Sequence, residues 1–219
     1  NWKTLKPYRI SNRPLKFAFF KDLEDPNYNQ ILFVPTLIYN LYDGVMPGMR
    51  LYNKTVLDKP FTYDINPSYS INTGSVTGSF SFSFNDLSRD SKLYSTKYGI
   101  GGNYYHYLAD AAYLKITPTV QFRFRENDFR ANRKQIITLR NVLVHRENNN
   151  LDINSKSQNY SVFNARYTNA NSEVTGQTVF TTDFQASGKF GKASGELQYR
   201  KLFDNNRQIN LRFYAGAFL

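Results

Sequence analysis

Histidines, serines and carboxylates are the residues of this chain that could do chemistry, and their spacing selects none of them. His106 and His145 stand apart, and neither belongs to an H-E-x-x-H pair or any other metal-ligand spacing. Ser79, Ser81 and Ser83 alternate with phenylalanines and have no general base beside them in sequence, so nothing marks a nucleophile. Gly99-Ile-Gly-Gly102 is followed by no helical pattern and is therefore no phosphate loop; glycines in such a strand mark a bend or a bulge. Asp64, Asp183 and Glu196 lie among polar neighbours on strand patterns. Their spacing picks out no acid–base pair, and ion pairing with Arg or Lys is the expected use. The absence of cysteine excludes disulfides, thiolate metal sites and thiol nucleophiles. We therefore expect no catalytic residue, no metal ligand and no cofactor site in these 219 residues.

The elements that carry these residues are legible from periodicity. Leu114, Ile116, Pro118, Val120, Phe122 and Phe124 alternate without a slip with Lys115, Thr117, Thr119, Gln121, Arg123 and Arg125. A strand turns successive side chains to opposite faces, so this segment has one apolar and one wet, cationic side. It is also about as long as a strand must be to cross a bilayer at a tilt, roughly 9–11 residues. Phe61 to Asn72 repeats the pattern, and Phe80, Phe82 and Phe84 interleave with serines. Further strand patterns run over 30–42, 46–57, 93–108, 134–145, 159–167, 177–187, 191–203 and 207–219, giving about ten or eleven strands and no helical window. Residues 1–28 read as a basic, proline-punctuated lead-in, and 29–219 as the strand region. Pro35, Pro67 and Pro118 fall inside strand patterns, where bulges are expected because proline cannot donate to a ladder.

Composition narrows the classes. The longest clean apolar run, Ile31 to Pro35, is far too short for a spanning helix. A mean hydropathy of −0.56 still permits a barrel, whose lumen face and loops are polar. The net charge of +11 is scattered along strands rather than clustered, which speaks against a nucleic-acid partner; cations lining a lumen or meeting anionic headgroups explain it as well. The 17 tyrosines, many near strand ends (Tyr39, Tyr42, Tyr69, Tyr104, Tyr160), suit the aromatic girdles of a spanning barrel. The start at Asn1 and a final strand pattern with no closing turn suggest a segment of a longer or processed polypeptide.

Several runs carry a resemblance: Phe20-Lys-Asp-Leu-Glu-Asp-Pro26, Ile38-Tyr-Asn-Leu-Tyr-Asp-Gly44, Pro47-Gly-Met-Arg-Leu-Tyr-Asn-Lys-Thr55, Tyr199-Arg-Lys-Leu-Phe203 and Asn206-Arg-Gln-Ile-Asn-Leu-Arg-Phe213. They resemble the barrel region of large Bacteroidota envelope proteins whose first part is similar to M1-type (gluzincin) zinc metallopeptidases. The zinc motif has no counterpart here, so the resemblance carries over no catalytic or metal residue; zinc would belong to the parent, outside this chain. It implies a bacterial outer-membrane location, in which the sequons at Asn53 and Asn159 mean little, with membrane lipid and other envelope proteins as partners.

The resulting expectation is an all-β, antiparallel, up-and-down transmembrane barrel, incomplete within this segment, that anchors or forms a pore for its parent. Asp64, Lys115, Gln121, Arg123, Arg125, Arg140 and Arg212 are its candidate lumen residues. A soluble β-sandwich binding a glycan or protein ligand is the alternative, since a sandwich strand also has one buried and one wet face.

Overall fold

The computed structural model describes residues 13–19, 25, 27–53, 59–88, 91–126, 128, 130–148 and 159–218. They are all-β. Twelve strands form: β1 (Leu15–Phe19), β2 (Asn29–Asn40), β3 (Gly44–Tyr52), β4 (Phe61–Tyr69), β5 (Val76–Leu87), β6 (Leu93–Leu108), β7 (Ala111–Arg125), β8 (Arg133–Arg146), β9 (Tyr160–Ser172), β10 (Gly176–Ser187), β11 (Phe190–Leu202) and β12 (Gln208–Phe218). The extra strand relative to the sequence reading is β1, a five-residue stretch within the lead-in that runs parallel to β2 and pairs Leu15–Phe19 with Asn29–Phe33. The motif at Phe20–Pro26 and the end of the Pro47–Thr55 run reach beyond the described residues.

All twelve strands lie in one sheet whose order is the chain order, and among the described residues no β1–β12 pairing closes it into a barrel. Beyond the β1–β2 pair, the assigned registers are antiparallel, with short hairpins where turn residues allow them. Leu41–Asp43 joins β2 to β3, and Gly44 follows at φ +68°, a left-handed conformation natural to glycine. The expected bulges at Pro35 and Pro67 do not form. Pro35 pairs with Met49 in an unbroken register, and on its other side β1 has already ended at Phe19↔Phe33. Pro67 keeps its place opposite Gly78, and the cost falls on the β3–β4 ladder, which skips from Gly48↔Ser68 to Leu51↔Ile65.

Two compact units divide the chain. Unit 1 holds residues 1–84, 100–116 and 145–158; unit 2 holds 85–99, 117–144 and 159–219. In unit 1 the registers stack Phe33, Leu51, Ile65 and Phe80 into one apolar row across β2–β5, while Gly48, Ser68 and Thr77 form a row on the other face. In unit 2, Leu139, Ala165, Phe184, Ala193 and Ala217 form an apolar row across β8–β12. The neighbouring row, Thr138, Arg166, Asp183, Ser194 and Gly216, lies on the opposite face.

Few side chains are buried, and large apolar ones are among the exposed. Among the described residues the buried apolar side chains are Ala18, Leu32, Met46, Ala111, Ala112 and Val144, all but two of them small or β-branched. The buried polar set is larger and includes Gln30, Asp43, Ser68, Thr77, His106 and Asn164. Meanwhile Leu37 is 74% exposed, Val76 65% and Phe213 62%. Lone exposed apolar side chains are ordinary; so many of them spread along the strands are not.

Candidate functional site

In unit 2 the polar face is knitted by hydrogen bonds between adjacent strands. Asp183 on β10 accepts from Arg166 Nε at 2.8 Å, from Asn164 Nδ2 at 3.0 Å and from Gln185 Nε2 at 2.9 Å. Its side chain is 11% exposed, against 50% for Arg166. Asn164, buried, also accepts from Arg140 Nε at 3.0 Å, so the network runs over β8, β9 and β10. On β7, Arg123 donates to Gln121 at 2.9 Å, and Gln121 donates to Thr138 of β8 at 3.2 Å. At the far strand, Arg212 Nε donates to Glu196 on β11 at 2.7 Å. Lys134, Lys192 and Arg200 share this face by register, so the cations on it outnumber Asp183 and Glu196.

In unit 1, Asp64 accepts a bidentate grip from Arg50: Nε lies 2.8 Å from Oδ1, and Nη2 bonds Oδ2. The planar fork of a guanidinium matches a carboxylate in this way. The Arg50 guanidinium also lies over the Tyr52 ring, 4.9 Å from its centroid. Thr36 donates to Asn66 at 3.1 Å on the same face.

The structure therefore places the candidate lumen residues as follows. Gln121, Arg123, Arg140 and Arg212 sit on the polar face of unit 2, each bonded to a neighbour on that face, and Arg125 shares their side of β7 by alternation. Asp64 sits on the polar face of unit 1, and Lys115 is also in that unit.

Sequence reasoning passed over one tight cluster. In the β2–β3 turn Asp43 is fully buried; its Oδ1 lies 2.7 Å from His106 Nδ1, and its Oδ2 accepts from the His106 amide at 3.0 Å and from Asn40 Nδ2 at 3.0 Å. Ser70 donates to the Asp43 carbonyl at 2.8 Å, and Thr73 donates to Oδ1 at 3.2 Å. Burial alone would raise the Asp43 carboxyl; the hydrogen bonds and charge of His106, helped by Ser70, win and hold it below its ordinary value. Ser, His and Asp meet here, but the Ser70 hydroxyl is directed to the Asp43 backbone and not to the imidazole. No nucleophile is activated, and the cluster ties one turn to β6. No sequence signal links Asp43 to a histidine 63 positions away.

Among the described residues no group of three or more His, Asp or Glu side chains could hold a metal ion. Compared with protein-family models, curated proteins and solved structures, the chain matches none.

Proposed function

We propose that this chain forms part of the wall of a bacterial outer-membrane β-barrel, anchoring a larger envelope protein or forming its pore. The observation that carries the reading is the segregation of the two faces: Leu, Ile and Phe side chains, many of them exposed, gather on one face while Arg, Asp and Asn bond one another on the opposite face. In water, exposing such rows forfeits about 25 cal/mol for each Å² of apolar surface left wet. Against lipid the same rows cost nothing, and the ion-paired face suits a hydrated lumen. Strands of 12 to 16 residues such as β5, β6, β7 and β8 have the length to cross a bilayer at a tilt. A sandwich would need a second sheet over the apolar face, and all twelve strands belong to one.

The excess of cations gives the polar face a positive field, favouring anionic solutes over cations in any lumen it lines. The parent we propose is a metallopeptidase-like envelope protein, on the resemblance of the runs at 38–44, 47–55 and 199–213; this chain would supply its membrane seat and none of its chemistry.

The test is assembly of the full chain into lipid vesicles, read by alkaline carbonate extraction. Phe122→Arg places a charge on the apolar side and should cost about 2–4 kcal/mol near the bilayer midplane, abolishing assembly. Gln121→Arg, one residue away on the polar face, should assemble. A chain that stays soluble and monomeric without detergent in both variants would overturn the reading.

A further inference from the structure

Unit 1 holds a recess of about 720 Å³ lined by residues of β2 to β6. Small-molecule sites span roughly 300–1,000 Å³, so this one is of ordinary ligand size. The registers set Ser68 of β4 between Gly48 of β3 and Thr77 of β5. Only glycine fits at 48, because a Cβ there would lie 2.5 Å from Ser68 Oγ. Ser68 lines the recess and is 3% exposed, yet its hydroxyl has no hydrogen-bond partner among the described residues. A buried hydroxyl without a partner has lost water and gained nothing, so its retention calls for a reason.

His106 of β6 lines the same recess. Its Nδ1 is committed to Asp43 at 2.7 Å. A carboxylate only accepts, so in the neutral ring Nδ1 carries the proton and Nε2 offers a lone pair. Alternation puts Tyr104 on the same face of β6, its ring edge-on to the imidazole with centroids 6.0 Å apart. Asn66 of β4 gives its Oδ1 to Thr36 at 3.1 Å, which leaves its amide hydrogens to donate. Among the described residues no Lys, Arg, Asp or Glu lines the recess.

We propose that this recess binds a neutral saccharide of one or two rings. Ser68 and the Asn66 amide donate to its hydroxyl oxygens, His106 Nε2 accepts from one hydroxyl, and the Tyr104 ring covers a C–H face. A charged ligand would be desolvated here with no counter-charge. A hydrocarbon chain would leave the hydroxyl and the amide unpaired. A peptide strand seeks a sheet edge, and the recess lies against β3, β4 and β5, each flanked by strands on both sides. The site belongs to unit 1 alone and does not depend on the membrane reading.

The test is saturation-transfer difference NMR on the full chain in zwitterionic micelles free of sugar headgroups. The probes are glucose, galactose, mannose, N-acetylglucosamine, lactose and cellobiose, with glucuronate and triglycine as the charged and the peptide comparison. At least one neutral sugar should saturate at millimolar concentration or below, at least about tenfold tighter than glucuronate or triglycine. Ser68→Ala should weaken that sugar at least about fivefold while leaving the melting midpoint unchanged or higher, because it removes an unsatisfied group. Tyr104→Leu should weaken it similarly, and Tyr104→Phe, which keeps the ring, should restore binding. Three results would overturn the proposal: no binding by any neutral sugar, equal binding of glucuronate or triglycine, or an affinity that neither Ser68→Ala nor Tyr104→Leu moves. Binding is read in micelles, so failure here is separable from failure to assemble in vesicles.

Discussion

Arg166 and Asp183 lie directly opposite each other across the β9–β10 ladder, and the carboxylate between them is held by two side-chain amides as well as the guanidinium. The cross-strand position fixes the pair without help from loops, so the polar face is ordered by the sheet itself.

Removing that carboxylate should therefore cost more than a surface pair does. Asp183→Ala leaves the buried Asn164 amide without one acceptor and Arg166 without its counter-charge. A loss of about 1–3 kcal/mol is expected, the range for a buried polar group left unsatisfied. Asp183→Asn keeps an acceptor and should lose less. Urea unfolding of the vesicle-assembled protein reads both, and equal losses would show that charge alone matters.

Acid should loosen the β2–β3 turn. The Asp43 carboxyl is held below its ordinary 3.8 in the folded chain, so it stabilises the turn above that value, and the gain fades as pH falls through the lower folded value. Hydrogen exchange of the Tyr42–Met46 amides should accelerate on acidification below about pH 4 in the wild type. In Asp43→Asn the same amides should exchange faster already at neutral pH and show little further change. A wild-type turn whose protection, corrected for intrinsic exchange, does not fall below pH 4 would refute the role of Asp43.

Glycine is required at two positions for different reasons. At Gly78, φ is +141° and an added Cβ would lie 2.1 Å from the Asn66 carbonyl oxygen, a backbone atom that cannot move aside. At Gly74, φ is +64° and the nearest atom, the Tyr69 hydroxyl, is 3.8 Å away. Gly74→Ala should cost about 1–2 kcal/mol, the price of a left-handed conformation, whereas Gly78→Ala should prevent the β4–β5 pairing outright. Thermal melts of the two variants, side by side, check the order.

Lipid contact should follow residue parity on β11. In a Trp2→Phe background, a single tryptophan at Leu197 lies on the apolar side and should be quenched by brominated lipid chains, while one at Gln198 should not. Similar quenching at both would remove the case for a lipid-facing row.

Much of this was legible because the side-chain period of a strand survives in the sequence. The alternation at 61–72 lies on β4 as far as Tyr69, beyond which the chain turns, and the one at 114–125 lies within β7. Over 30–42 the alternation is weak because Leu32, on the face shared with polar Thr36, is itself buried, so that face is not purely polar. The short β1 escaped notice since five residues in a basic, proline-rich stretch carry too little period to separate from a loop. Prolines misled in the other direction. Their missing donors were absorbed by a neighbouring strand that had ended and by a gap in one ladder, neither of which leaves a local mark. Asp43 and His106 were invisible as a pair because only the folded sheet brings them together.

The identity of sheet order and chain order also bears on how the molecule forms. From β2 onward each strand is laid against the one made just before it, so no pairing there waits for a distant segment. Such a sheet can grow like a zipper from any hairpin already formed, with little entropic penalty per added strand. Shortening it from the β12 side would then shed strands one at a time and leave the registers of the remaining hairpins intact.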